Sequence, residues 1–371
     1  MKLDDLPTPC LVLERPILQR NLDAMAQAVA RHGVALRPHM KTAKSIDVAR
    51  LALATPQARP SGITVSTLAE AEYFVGHGIT DVLYAVGITP QKLEQVAKLN
   101  VAGASVMVIT DDPEVASIIA AQPHPPRVLV EVDTGEHRGG VAPEDPALLD
   151  IAARLGQTLA GVITHAGHSY AGRSAQQMAD IAEIERSGAV RAAERLTAAG
   201  LPCPIVSMGS SPTALHAANL DGVTEVRAGV YMLGDLFQAE IGTHGLGDIA
   251  VTVLASVIGH RPSQGQIVID AGGIALSKDR STEAAPHDWG FGLMLDLHGQ
   301  RSFGHALVKR AYQEHGMVDL DPKLPAPDLP IGAKVRIAPN HICMTAAAHD
   351  RYFVVDGSDT VTAIWPRVNG W

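Results

Sequence analysis

"VALRPHMKTAKS", Val34 to Ser45, is the stretch on which the fold turns. It opens as a short β-rich run, VALRPH (34–39), and passes at Ala43 into a helix-like segment that ends at Ala54. Between them stand two lysines, Lys41 and Lys44. A strand end facing a cleft is a poor place for a lysine if stability alone is served, so one of the two is a candidate reactive amine.

The same unit recurs through the first two thirds of the chain. After VALRPH come SGITVST (61–67), DVLYAV (81–86), ASVMVIT (104–110), RVLVEVD (127–133), LAGVITHAG (159–167), PIVSMGS (204–210) and TEVRAGVY (224–231). Helical patterns separate them, among them Leu68–Gly78, Pro90–Leu99, Pro146–Leu155 and the long Ala175–Ala199, closed by Gly200. Another, Pro16–His32, precedes the first run. The runs are nearly continuous and apolar, as strands buried on both faces must be. Eight of them alternating with helices predict an α/β fold, a (β/α)8 TIM barrel; a doubly wound sheet is the alternative.

Past about residue 246 the rhythm changes. IAVTVLASVIGH (249–260), GQIVIDAG (265–272), AKVRIAP (333–339), RYFVVDG (351–357) and TVTAIWP (360–366) read as an antiparallel β domain, and DPKLPAPDLP (321–330) as a loop. PCLVLE (9–14) precedes the leading helix and is placed to pair with the late strands. The expected organisation is a barrel over 14–245 and a β domain over 246–371, joined by the N-terminal strand 1–13.

Bulk composition narrows the partners. The 371 residues are 46% hydrophobic, enough for a large core, and carry a formal charge of −9. No long basic run exists, which argues against nucleic acid or an anionic membrane. Three scattered cysteines (Cys10, Cys203, Cys343) are not a disulfide framework and suggest a reducing cytoplasm. The opening MKLDDLPTP lacks the apolar core of a signal peptide, and no apolar run is long enough to span a bilayer.

In such barrels chemistry gathers at the C-terminal strand ends. Here these are Lys41, Thr67, Gly87, Thr110, Asp133 to Arg138, His165 to Tyr170, Gly209 to Thr213 and Gly229 to Tyr231. Strand ends always meet polar loops, but that does not explain a lysine, an arginine, a histidine and two glycine loops around one mouth. MGSSPTAL (208–215) leads small residues and hydroxyls into a helix, and RAGVY (227–231) adds a glycine for close backbone approach. A phosphate cradle opposite an amine suggests pyridoxal phosphate held as a Schiff base. In PNHICMT (339–345), His341 and Cys343 stand two apart; in an extended strand they would share a face and could bind one ion, with zinc preferred. Read from spacing alone, a buried cysteine near a surface histidine explains the pair as well.

TPCLVLE, RPHMKTAKS, SGITVSTLAEAE, EVDTGEHRGGV, THAGHSY, GSSPTA, EVRAGVY and PNHIC, in this order, resemble the alanine-racemase-like, fold-type III pyridoxal phosphate enzymes. The likeness spans almost the whole chain. It is nearest to the branch of D-serine dehydratases, D-threo-3-hydroxyaspartate dehydratases and D-threonine aldolases, the middle class above all through SGITVST, DGVTEVRAGVY, QEHG and the final NGW. The resemblance implies that Lys41 carries the cofactor, leaving Lys44, about a turn onward, as a solvated or supporting residue. It sets His165 against the cofactor ring and Arg227 at the pyridine nitrogen, as in racemases. Ser210, Thr213, Gly229 and Tyr231 fall on the phosphate side and Tyr170 in the active site, with Arg138 and Gly140 in the strand-five segment. For Arg138, substrate binding and a loop-holding salt bridge are both open. His341 and Cys343 match the zinc pair of the dehydratases; the aldolases usually carry a carboxylate where Cys343 stands.

These assignments imply zinc-assisted β-elimination from a D-3-hydroxyamino acid, giving a 2-oxo acid and ammonia, in a cytoplasmic homodimer. The competitors are retro-aldol cleavage at Cα–Cβ, racemisation, for which no second base is identifiable, and non-catalytic pyridoxal phosphate binding, whose barrel-only examples lack a β domain.

Overall fold

The structure, a computed structural model, describes residues 1–371. The chain divides into two compact units, Asp23–Gly229 with Val368–Trp371, and Met1–Leu22 with Val230–Arg367.

The first unit holds eight parallel strands: Ala35–Pro38, Ile63–Val65, Asp81–Gly87, Ser105–Thr110, Val128–Glu131, Leu159–Ile163, Ile205–Met208 and Glu225–Ala228. From the second strand on, each pairs with the next, and the last lies beside the first, Ala35 opposite Glu225. A His39–Thr64 bridge and the bond from Met40 N to Thr64 O (2.8 Å) join the first strand to the second. The first strand thus has neighbours on both sides and the sheet closes as a (β/α)8 barrel; an open doubly wound sheet would leave an edge.

Local chemistry sets the helix limits. Pro146–Leu155 starts where the Asp145 carboxylate accepts from Ala147 N (2.8 Å) with proline at the first turn, and stops at Gly156 with φ 53°. The long helix Ala175–Ala198 is capped by Ser174 and buries Met178, Ala182, Glu185, Ala189, Ala192 and Leu196, a stripe of three- and four-residue steps. Small alanines bring the helix close, and one member of the stripe is a carboxylate.

Part of the barrel interior is ionic rather than apolar. Asp81 pairs with Arg37 (2.9 Å), Arg37 with Glu225 (2.8 Å), and Ser207 Oγ donates to Glu225 (2.7 Å). Arg227 continues the series, donating to Ser207 Oγ (2.7 Å) and to Thr164 O (2.6 Å). Arg37 is thus compensated by two carboxylates, whereas Arg227 is held by a hydroxyl and a carbonyl, and burial pulls its guanidinium below the usual range. Below the mouth Leu83, Met107, Ile109, Leu129, Ala160 and Ile163 form an apolar cluster.

The second unit is built on nine strands. Six close on themselves: Val251–Arg261, Gln266–Ile269, Gly316–Asp319, Leu307–Ala311, Gly292–Leu295 and Lys334–Pro339, which returns to the first. Cys10–Glu14, Arg351–Val355 and Val361–Pro366 extend this closed sheet. Cys10–Glu14 runs antiparallel to Val251–Arg261 but parallel to Arg351–Val355, so the domain is not wholly antiparallel as expected. Two short helices, Gly273–Leu276 and Ile342–Ala346, also interrupt it. Segment 321–330 has neither helix nor strand. No helix of the chain is long and apolar enough to cross a membrane.

Candidate active site

The two lysines after the first barrel strand differ in what surrounds them. Lys44 Nζ lies 3.0 Å from Glu70 Oε1, the side chains being 14% and 0% exposed. Glu70 also accepts from Ser66 N (3.1 Å) and Ser66 Oγ (2.8 Å). Lys44 adopts φ 49°, and its carbonyl accepts from Val368 N (2.8 Å). It is a locked structural residue. The Lys41 side chain is exposed at the strand end, and of the two amines it is the one open to a reaction partner.

The charges of Lys41 and Arg227 both reach His39 and His165. Burial first, then the charges of Lys41 and Arg227, push the His39 imidazolium well below its usual range. The same influences, burial leading, hold His165 down at about 3 against its bond to Gly209 O. That carbonyl only accepts, so His165 Nδ1, 2.8 Å away, carries the proton and the ring is neutral. Arg227 is 4% exposed, and its Nε is a buried donor without a partner. The end of strand eight is packed tightly here: a Cβ on Gly229 would stand 2.6 Å from His39 O.

The loop after strand seven is tied to the long helix by Glu185, wholly buried. Its Oε1 accepts from Ala166 N (3.0 Å) and Gly209 N (2.9 Å), and its Oε2 from Thr213 Oγ1 (2.8 Å). One carboxylate thus joins the loops after strands six and seven. Ser210 caps the helix Ser211–His216, accepting from Thr213 N (3.2 Å), and its Oγ lies 2.8 Å from Ser169 Oγ. The hydroxyls of Ser210 and Thr213 are therefore engaged inside the loop. Gly209 has φ 127°, and a Cβ there would stand 2.5 Å from Arg227 O. Tyr170 lies in the turn Gly167–Ala171, its carbonyl accepting from Arg173 (3.1 Å).

Arg138 pairs with Glu136 (3.2 Å) while its side chain is 60% exposed, so the loop-holding salt bridge is present and the guanidinium still meets solvent. Gly140 N donates to Asp111 Oδ2 (2.7 Å). Burial and then Asp111 push the neighbouring Glu131 carboxyl above its ordinary range.

Three of the expected residues, Tyr231, His341 and Cys343, belong to the other unit. Tyr231 is buried in the turn Val230–Met232, where burial pushes its phenol above its usual range; His244 Nε2 lies 2.8 Å from its carbonyl. His341 and Cys343 are brought together, but not by a strand. The strand ends at Pro339, His341 caps the helix Ile342–Ala346, and Cys343 lies in its first turn. The strand-face expectation therefore fails. Asp235, buried at the start of the helix Leu236–Glu240, accepts from Ile342 N (3.0 Å) and so takes up a helix-start amide that would otherwise be orphaned. Asn340 secures the other side, donating to Thr282 Oγ1 and Gly290 O, both at 2.7 Å.

His341 Nδ1 lies 2.7 Å from Asp279 Oδ2 and 3.2 Å from Ser281 Oγ. Burial opposes the imidazolium, but the Asp279 bond, then Cys343 and Asp235, outweigh it and push His341 up to about 11. The same bond, the largest influence on Asp279, holds its carboxyl below the ordinary range. A sulfur and an imidazole beside carboxylates make a place for positive charge, and the donor types suit zinc. No group of three or more histidine, cysteine or acidic side chains is gathered to hold an ion.

Glu70, Glu185 and Asp279 were not singled out from the sequence. Glu185 had a signal, a carboxylate in an apolar helical stripe; Asp279, in a loop far along the chain from His341, had none.

The comparisons with known proteins agree with this architecture. Residues 15–236 match the family described as alanine racemase, N-terminal domain, and residues 250–355 the putative serine dehydratase domain. The D-threo-3-hydroxyaspartate dehydratase of Delftia sp. is 44% identical over 99% of this chain and 98% of its own. Its solved structure superposes with a TM-score of 0.95 over all of both chains, and a cysteine-to-alanine mutant of it has been solved in the metal-free form. The D-serine dehydratase of Schizosaccharomyces pombe is 30% identical over 100% of this chain and 93% of its own. The D-threonine aldolase of Arthrobacter sp. is 31% identical over 96% and 91%. The chain belongs to the alanine racemase N-terminal domain family, in the branch that carries a serine dehydratase domain and includes D-threo-3-hydroxyaspartate dehydratase, D-serine dehydratase and D-threonine aldolase.

Proposed function

We propose that the chain is a pyridoxal phosphate- and zinc-dependent lyase that dehydrates a D-3-hydroxyamino acid, such as D-threo-3-hydroxyaspartate or D-serine, to a 2-oxo acid and ammonia. The observation that carries the choice of reaction is His341 beside Cys343, an imidazole and a thiol backed by Asp279. The likeness to the dehydratases over the full chain supports it, as does the metal-free form of a relative's cysteine mutant, which implies a metal in the parent.

Both groups fit the residues present. Lys41 is the open amine, Arg227 keeps a buried donor unused, and the Gly209 to Thr213 loop is held in shape by Glu185. Pyridoxal phosphate, when bound, supplies a sink for the negative charge that develops on Cα. Zinc, when bound by His341 and Cys343, supplies Lewis acidity toward a poor leaving hydroxyl.

The chain's own residues do the rest. Lys41 would hold the cofactor, and its Nζ, once free, would take the α-proton. His165, neutral and fixed by Gly209 O, would stand against the cofactor ring without adding a charge. Arg227, held by Ser207 and Thr164, would meet the pyridine nitrogen. Gly229 and Tyr231 would serve the phosphate side with Ser210 and Thr213, whose hydroxyls and amides bond one another and so fix the shape of the loop. Tyr170 lines the active site. Arg138, exposed and cationic, receives a substrate carboxylate. The working form is a homodimer.

The test is a product assay on the purified protein with D-threo-3-hydroxyaspartate, D-serine and D-threonine, with and without added zinc. D-threo-3-hydroxyaspartate is expected to give oxaloacetate and ammonia, D-serine to give pyruvate more slowly, D-threonine to be poorer, and L-isomers to be inert. Glycine with an aldehyde or glyoxylate instead would make the enzyme an aldolase.

A further inference from the structure

We infer that Asp279 is the positioning residue of the metal centre, holding His341 as the Nδ1–H tautomer so that Nε2 is the nitrogen offered to the ion. This rests on the reading of His341 and Cys343 as the ligands.

An imidazole binds a metal through a lone pair on one nitrogen. Which nitrogen that is depends on the hydrogen bond the other one makes. His341 Nδ1 is 2.7 Å from Asp279 Oδ2. An ionised carboxylate has no proton to donate, so the proton of this bond belongs to Nδ1. Nε2 is left for the ion, and the carboxylate also brings a negative charge against the positive charge of a zinc site.

Asp279 is itself held in place. Ser281 Oγ donates to its other oxygen, Oδ1 (2.9 Å), and its own amide donates to Ser277 Oγ (3.0 Å). Ser277 turns the chain with φ 69°, in the left-handed region that few side chains adopt. Beyond it, Arg280 is fixed by Glu283 (2.9 Å) and by Asp288. Thr282 then clamps the loop onto Asn340: Asn340 Nδ2 donates to Thr282 Oγ1 (2.7 Å) and Thr282 N donates to Asn340 Oδ1 (3.3 Å). Asn340 directly precedes His341. The loop that delivers the carboxylate and the segment that delivers the ligand are thus fastened one residue from the ring, and a displaced Asp279 has no slack to recover.

The experiment measures zinc affinity of the full chain by competition with a chromophoric chelator, and the visible spectrum of the cobalt-loaded protein. Asp279→Ala is expected to weaken zinc binding about 10- to 100-fold, the usual loss for such a partner, and to leave the thiolate-to-cobalt band of Cys343 in place. Asp279→Asn keeps an acceptor at Nδ1 and should lose less, which guards against an alanine variant that fails to fold. On a His341→Ala background, Asp279→Ala should add no further loss. Unchanged affinity in Asp279→Ala, or the same loss with and without His341, overturns the inference while leaving the ligand pair standing. Wild-type protein whose zinc binding does not depend on His341 removes both readings together.

Discussion

Glu185→Ala removes the one acceptor shared by three donors: Ala166 N, Gly209 N and Thr213 Oγ1. The threonine hydroxyl can turn to Ser210 Oγ, 3.0 Å away. The two amides have no such freedom, because their direction is set by the backbone on either side of His165 and the phosphate-side loop. A buried donor left unpaired costs about 1–3 kcal/mol, so the pair costs about 2–6 kcal/mol, toward the lower end if water enters the space left behind. Glu185→Gln keeps a carbonyl for both amides and should lose only about 1 kcal/mol, the size of one ordinary hydrogen bond. The two variants also differ with pH. Burial, the largest influence, raises the Glu185 carboxyl above its ordinary value against the bonds from Gly209 and Thr213. The folded chain therefore holds this proton more tightly than the unfolded one. The stability so gained is fully present below the unfolded carboxyl value and is lost as pH rises through the raised folded one. Glutamine does not titrate, so the gap between wild type and Glu185→Gln should be widest in acid and narrow as pH rises. Urea midpoints measured across pH, with cofactor retention measured alongside, test this. An alanine variant as stable as wild type, or a gap that widens with rising pH, would refute the reasoning.

The remaining predictions concern the two lysines, the ligand pair and one glycine. Borohydride should erase the visible cofactor band and fix the label at Lys41, and Lys41→Ala should abolish turnover; label on Lys44 would sink the assignment. Lys44→Ala should keep most of the turnover per folded molecule but lower stability by about 3–5 kcal/mol in a denaturation assay, because Glu70 is left as an uncompensated buried charge. His341→Ala or Cys343→Ala should lower zinc content by elemental analysis while the cofactor band persists, and full activity of the double variant in metal-free buffer would make the pair structural. Gly209→Ala places a Cβ 2.5 Å from Arg227 O on a φ of 127°, and should weaken cofactor retention as well as stability. Wild-type retention by equilibrium dialysis would contradict that.

The barrel was readable because its strands are buried on both faces and therefore leave unbroken apolar runs. Helix Pro146–Leu155 was readable to the residue, since Asp145, Pro146 and Gly156 mark its ends by local chemistry. Legibility fell where distant residues decide conformation. PNHICMT has the composition of a strand end, yet an acceptor from Asp235 turns it into a helix. Gly292–Leu295, Leu307–Ala311 and Gly316–Asp319 were passed over because they are four or five residues long and take their place from the closed sheet around them. At the site, composition and spacing leave Lys41 and Lys44 alike; the family resemblance picks Lys41, and the buried carboxylate of Glu70, whose partner no spacing rule names, gives the physical difference.

The strand Cys10–Glu14 finds its sheet neighbours only hundreds of residues further along the chain. Its partners begin at Val251 and Arg351, and Glu14 also meets Arg336 in a buried pair at 2.6 Å. Until most of the chain has emerged, this short apolar segment has no sheet to enter and exposes an edge on which other chains can nucleate. Sequence separations this large also slow folding. Removing Cys10–Glu14 would take out the interior strand that joins Val251–Arg261 to Arg351–Val355.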